Sequence, residues 1–91
     1  MAATMNETAI REEAPTGPQV TEYDRIHAPR YLRLLDAERA GADWEEAAQI
    51  ILGLDPKANP VDAKQTFDSH LARAHWMMES GYKSLLGLPP G

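Results

Sequence analysis

The chain has 91 residues, 43% of them hydrophobic, and its 14 acidic against 9 basic side chains leave a formal charge of −5. That length allows one small domain with a marginal core, since a short chain buries only about 60% of its unfolded surface. The lack of cysteine excludes disulfides, thiolate metal sites and thiol nucleophiles, and the acidic balance argues against non-specific affinity for phosphate backbones, which draws on clustered Lys and Arg. No run approaches the roughly 20 apolar residues of a membrane span, and MAATMNETAIREEAPTG has no apolar block resembling a secretory signal. A cytoplasmic location and no membrane partner are therefore expected.

Residues 1–20 lack apolar periodicity and carry Pro15, Gly17 and Pro18 near their end, the composition of a disordered leader. A helical domain is expected over 21–86 and a disordered tail over 87–91. Three segments open on an oxygen-bearing side chain with an acid three residues later: Thr21 with Asp24, Asp43 with Glu46, and Asn59 with Asp62. Such a side chain accepts from an orphan N–H, and the acid favours the positive end of the helix dipole. Each segment stops at a glycine, Gly41, Gly53 or Gly81, the residue that most easily takes the left-handed closing conformation.

In the first helix, Tyr31, Leu32, Leu34 and Leu35 form a broad stripe that Ile26 extends backwards. Pro29 lies inside this segment, where it costs roughly 3 kcal/mol, so the spacing predicts a helix from Thr21 kinked near Pro29. In the second, Trp44, Ala47, Ala48 and Ile51 recur at i, i+3, i+4 and i+7, the face an amphipathic helix buries. The third opens with Pro60, whose missing N–H costs nothing there, and buries Phe67, Leu71, Ala74 and Met78. Tyr82, Leu85 and Leu86 suggest a short C-terminal helical turn that closes the core. The fold class is all-α: three main helices in a helix-turn-helix-like arrangement plus that turn.

At 100° per residue Trp76 falls about 180° from Phe67, on a side shared with Gln65, Ser69, Ala72 and Arg73. Either Tyr82, Leu85 and Leu86 wrap round the indole, or Trp76 is an anchor for a partner, a role in which tryptophan is enriched. Gln65, Ser69, Ala72, Arg73 and Trp76 are accordingly the candidate partner-binding residues. His27, His70 and His75 include no i, i+4 pair, so no metal site is expected. Asp43, Glu45 and Glu46 complement a helix start and lack a general acid and base arrangement. Met77 and Met78 suit core filler. No catalysis, no cofactor and no small-molecule ligand are expected, and the chain is expected to be a monomer.

A helix-turn-helix reader lays its second motif helix in the major groove and fixes it with bases on the phosphates. Here the segment from Pro60 to Ser80 sets Lys64 and Arg73 against Asp62, Asp68 and Glu79, and residues 21–86 hold eight bases and eleven acids. The connection from Gly53 to Asn59 also exceeds the 3 to 4 residues typical of such a motif. DNA is therefore disfavoured as a partner and a protein is preferred.

The segments YDRIHAPRYLRLLDAERAGADW, DWEEAAQIILGLDP and DSHLARAHWMMESGYKSLL resemble a family of short proteobacterial domains long catalogued as of unknown function, found largely on integrative and conjugative elements. The resemblance covers about residues 21–86 and is most specific in DSHLARAHWM and GYKSLL. It implies a helix-turn-helix-like fold. Longer members activate transcription of excision and transfer genes, whereas stand-alone members, antiactivators of rhizobial symbiosis islands, bind and silence activators, including a quorum-sensing regulator of the LuxR and TraR type. The expected function is thus a stoichiometric antiactivator, with a DNA-binding domain of an activator or excision factor as the alternative.

Overall fold

The computed structural model describes residues 9–81, which hold α1 (Glu22–Ile26), α2 (Ala28–Arg39), α3 (Trp44–Leu52), α4 (Pro60–Trp76) and a π-helical turn, Met77–Gly81. The described residues contain no strand, and the all-helical architecture agrees with the sequence expectation. The expected turn at Tyr82, Leu85 and Leu86 and the tail at 87–91 lie outside the described residues.

α1 begins at a reciprocal capping box. The Asp24 N–H donates to Thr21 Oγ1 at 3.2 Å, and the Thr21 N–H donates to Asp24 Oδ2 at 2.9 Å. The kink expected at Pro29 is a break at His27, which ends α1 and starts α2, with Pro29 in the first turn of α2 where its missing N–H is harmless. The break leaves the backbone bonded, because His27 donates to the Tyr23 carbonyl and Tyr31 donates to the His27 carbonyl, each at 3.0 Å.

Two glycines close helices as expected. Gly41, at φ 75°, ends α2 in a Schellman motif: Ala42 N–H donates to the Ala37 carbonyl and Gly41 N–H to the Glu38 carbonyl. Gly53, at φ 70°, ends α3 with a bond from its N–H to the Gln49 carbonyl. At the third expected stop, Gly81, the chain has already left α-helical geometry at Met77. Asp43 and Asn59 stand at the N-caps of α3 and α4, but neither side chain makes the expected cap bond. In the α3–α4 connection it is Asp55 that organises the turn, accepting from Ala58 N–H on its side chain and from Asn59 N–H on its carbonyl.

α2, α3 and α4 pack pairwise into a three-helix body. Leu34, Ala47, Ala48, Ile51, Leu52 and Phe67 form its main core, with Trp44, Leu71 and Ile10 against them; Tyr31, Leu35 and Ala74 form a second cluster with Met77. Met78, expected in the core, is 53% exposed, and Leu32 is 60% exposed, because the widened π-helical turn carries Met78 off the stripe of Phe67 and Ala74.

Residues 9–20 were expected to be disordered. They have no helix but lie against the helical body. Ala14 is buried and its N–H donates to Ser69 Oγ at 3.0 Å, while Ile10 packs on the main core. Composition does not display these contacts, because the segment contributes mainly backbone groups, which any sequence carries, to the side chains of Tyr23, Ser69 and Arg73.

Candidate nucleic-acid interface

A buried polar network holds the elements in register. Arg73 on α4 donates from Nε to Asp24 Oδ1 at 3.0 Å and from Nη2 to Asp24 Oδ2 at 2.8 Å, and both side chains are buried. Tyr31 on α2 donates to the same carboxylate at 2.9 Å. The remaining Arg73 donors reach the carbonyls of Gly17 at 2.7 Å and Gln19 at 2.8 Å, so one guanidinium ties the N-terminal segment, α1 and α4 together. Burial pushes the Asp24 carboxyl up, but the bonds from Arg73, Thr21 and Tyr31 outweigh it and leave the group below its ordinary value.

His70 occupies the middle of the same interface. Its Nδ1 lies 2.8 Å from the Thr66 carbonyl, which can only accept, so Nδ1 carries the proton and Nε2 accepts from Tyr23 Oη at 2.6 Å. Burial holds its pKa below the ordinary histidine value.

Of the five candidate partner-binding residues, Gln65 and Ala72 are exposed. Arg73 is a correction: it is buried in the pair with Asp24 and cannot meet a partner's surface. Ser69 is half-buried and its hydroxyl is engaged by Ala14 N–H and the Thr66 carbonyl. Trp76 is half-buried, with the Arg73 guanidinium carbon 3.8 Å from its ring centroid. On that side of α4, Ser69 and Arg73 are engaged by the Ala14 N–H and by the Gly17 and Gln19 carbonyls.

The bases outside the core divide into paired and unpaired. Arg25 meets Glu22, Arg39 meets Asp36, and Lys64 meets Asp68 at 3.1 Å. Arg11, Arg30, Arg33 and Lys57 meet no carboxylate among the described residues. Arg11 and Arg30 flank two rings in tilted contact. The Arg11 guanidinium carbon lies 4.5 Å from the Tyr23 ring centroid, the Tyr23 and His27 centroids are 4.2 Å apart, and Arg30 Nη1 lies 3.1 Å from His27 Nδ1. Arg30 Nε also donates to the Ile51 carbonyl at 3.3 Å, which anchors it to α3. Since Arg30 donates to Nδ1, the His27 proton sits on Nε2, a buried atom that makes no full hydrogen bond among the described residues, although the Ala9 backbone lies near enough to raise the His27 pKa somewhat. Burial, then Arg30, depress the His27 pKa. The sequence reading passed over this arrangement, although Tyr23, His27 and Arg30 at spacings of four and three signal a shared face.

A family model described as "T6SS, Transcription factor, DNA binding domain" matches residues 2–87. The chain belongs to this RovC DNA-binding-domain family. A search of the curated proteins finds no match.

Membership in the RovC DNA-binding-domain family overturns the expectation that DNA is disfavoured as a partner. The net charge misled because it counts carboxylates wherever they lie. Asp24 is buried and spent on Arg73, while Glu22, Asp36 and Asp68 are each beside a base. What matters for a phosphate is the local balance: Arg30 meets no carboxylate among the described residues, and Arg11 pairs with none although Glu12 and Glu13 follow it in the chain. The match supports a small domain of a transcription-regulatory family. It does not carry the integrative-element setting or the quorum-sensing partner that the resemblance implied.

Two other surfaces stand out on the domain. Glu12, Glu13, Gln65 and Asp68 line a shallow acidic cleft beside α4. On the opposite flank of α2 from Arg30, an apolar groove of about 460 Å³ runs between α2 and α4, lined by Ala28, Tyr31, Leu32, Leu35, Met77 and Met78 among others. Among the described residues, no helix is long and apolar enough to cross a membrane.

Proposed function

We propose that this domain acts in transcriptional regulation by binding duplex DNA, with no chemistry of its own. The observation that carries the reading is the match to a family of transcription-factor DNA-binding domains over residues 2–87, on a chain whose α2, α3 and α4 form a three-helix body. In such a body the third helix is the one offered to a groove. Gln65 and Ala72 on α4 are exposed, and a glutamine amide can bond an adenine edge in two places. The test is titration of the full chain into labelled duplex DNA at several salt concentrations. Binding that weakens steeply with salt supports the reading, and no binding at low salt overturns it.

The acidic cleft favours a second reading, in which the domain is an antiactivator that binds another regulator. Glu12, Glu13 and Asp68 lie along the flank of α4. Acidic surface repels phosphates but steers toward the basic DNA-binding face of an activator, raising the association rate more than the affinity. That reading expects the chain to lower an activator's DNA binding and transcriptional output at stoichiometric amounts. Unchanged output in the mixture eliminates it.

A further inference from the structure

The Arg11, Tyr23, His27 and Arg30 stack is costly for a free domain. Two guanidinium groups of like charge are fixed beside one ring pair and, among the described residues, neither forms an ion pair, although Glu12 and Glu13 follow Arg11 in the chain. His27 adds a buried Nε2–H that makes no full hydrogen bond among the described residues, with the Ala9 backbone near enough to oppose part of its pKa depression. The imidazole is also kept neutral between its charged neighbours, since burial and then Arg30, His70 and Arg11 all lower its pKa. A fixed excess of positive charge with spare donors is unfavourable alone and favourable beside an anion.

The two guanidiniums are held rather than loose. Arg30 is fixed at Nε by the Ile51 carbonyl and at Nη1 by His27, and among the described residues its Nη2 has no partner. The Arg11 guanidinium rests on the Tyr23 ring, and its backbone N–H donates to Tyr23 Oη at 3.0 Å. Tyr23 in turn is locked by His70. Rigid guanidiniums lose little entropy on meeting an oxyanion and present a planar fork that matches phosphate oxygens. The same corner touches the N-terminal segment, α1, α2 and the end of α3, and through the Tyr23–His70 bond it also reaches α4.

We propose that Arg11 and Arg30, braced by the Tyr23 and His27 rings, form a phosphate-binding corner that holds the DNA backbone while α4 faces the groove. This rests on the DNA reading above and names the contact that reading lacks, since the one exposed base of α4, Lys64, is paired with Asp68. The ligand is a phosphodiester, a chemistry shared by DNA and, more weakly, by free phosphate.

The test uses the full chain and a short labelled duplex of mixed sequence, with binding followed against salt concentration for Arg11→Gln, Arg30→Gln, the double variant, Arg30→Lys and, as a distant control, Lys57→Gln. Each single Gln variant is expected to reduce the slope of log affinity against log salt by about one, and the double by about two. Arg30→Lys keeps the slope and Lys57→Gln leaves it nearly unchanged. Retention of slope in Arg30→Lys separates lost charge from a misfolded corner, and thermal melts of all variants check folding directly. In the wild type, the His27 ring resonances should move on adding duplex. Wild-type binding with an unaltered slope in the double variant overturns the corner and leaves the DNA reading standing. Absence of any duplex binding overturns both. If inorganic phosphate moves the His27 resonances fully while duplex leaves them in place, the corner is a small-anion site and the proposal fails.

Discussion

Arg73 and Asp24, 49 residues apart in sequence, meet as a two-bond ion pair with both side chains buried, 3% and 0% exposed. The pair is the joint between α1 and α4, and through the Gly17 and Gln19 carbonyls it is also the latch of the N-terminal segment. Removing one partner of such a pair strands a buried charge. Arg73→Met should therefore cost about 3–5 kcal/mol in chemical denaturation. It should also expose the chain near Gly17 to proteolysis before the helical body is cut. The double variant Asp24→Leu, Arg73→Met should recover only part of the loss, because the Tyr31 hydroxyl loses its acceptor. A loss below about 1 kcal/mol for Arg73→Met would show the latch to be peripheral.

The two buried histidines set an acid limit on stability. Both have pKa values depressed below 6.5 by burial, so the folded chain binds fewer protons than the unfolded one as pH falls through that value. Their contribution is complete above about pH 6.5 and is lost progressively below it, at up to about 1.4 kcal/mol per pH unit for each histidine. Asp24 adds a later loss in the same direction. Its folded pKa lies below the ordinary 3.8, so its contribution holds above that value and disappears as pH falls toward the folded pKa. Denaturant midpoints should stay nearly level from about pH 7.5 to about pH 6.5 and then decline toward about pH 4.5. His70→Gln should flatten part of that decline, and a flat wild-type profile would contradict the neutral tautomers deduced from the hydrogen bonds.

Gly41 and Gly53 should resist substitution for a reason of backbone alone. Their φ angles are 75° and 70°, and a Cβ at either would meet no atom within 4 Å. Gly53→Ala should cost about 1–2 kcal/mol, the penalty for an L residue in the left-handed region, and Gly53→Asn should cost less. Equal losses for Ala and Asn, read from thermal melts, would point instead to a packing cause.

How much of this was legible beforehand depends on the range of the interaction concerned. The Thr21 box, the break near Pro29 and the Gly41 and Gly53 stops are local, and the sequence displays them. The stripe of Ala47, Ala48 and Ile51 is periodic and equally visible. Arg73 was placed on the correct side of α4, but its burial depends on Asp24 and on two carbonyls more than fifty residues away. No spacing rule reaches that far. The Arg11 contact was hidden for the same reason, because it joins a segment without periodicity to the Tyr23 ring. Met78 was misplaced because the extrapolated wheel assumes 3.6 residues per turn, and the helix widens at Met77.

The three N-caps, alike in sequence, should differ sharply when cut back to alanine. Thr21 accepts the Asp24 N–H and its own N–H is held by the Asp24 carboxylate, whereas Asp43 and Asn59 make no side-chain cap bond. Thr21→Ala should cost about 1 kcal/mol, within the usual range of roughly 0.5–2 for a lost cap. It also removes the hydroxyl's bond to Asp24 Oδ2, which keeps its bonds from Arg73 and from the backbone N–H of residue 21, so the carboxylate stays held. Asn59→Ala should be close to neutral, and Asp43→Ala should cost only a few tenths of a kcal/mol through the helix dipole. Denaturation curves of the three variants decide the matter. Equal losses at all three sites would mean that Asp43 and Asn59 also cap their helices in solution.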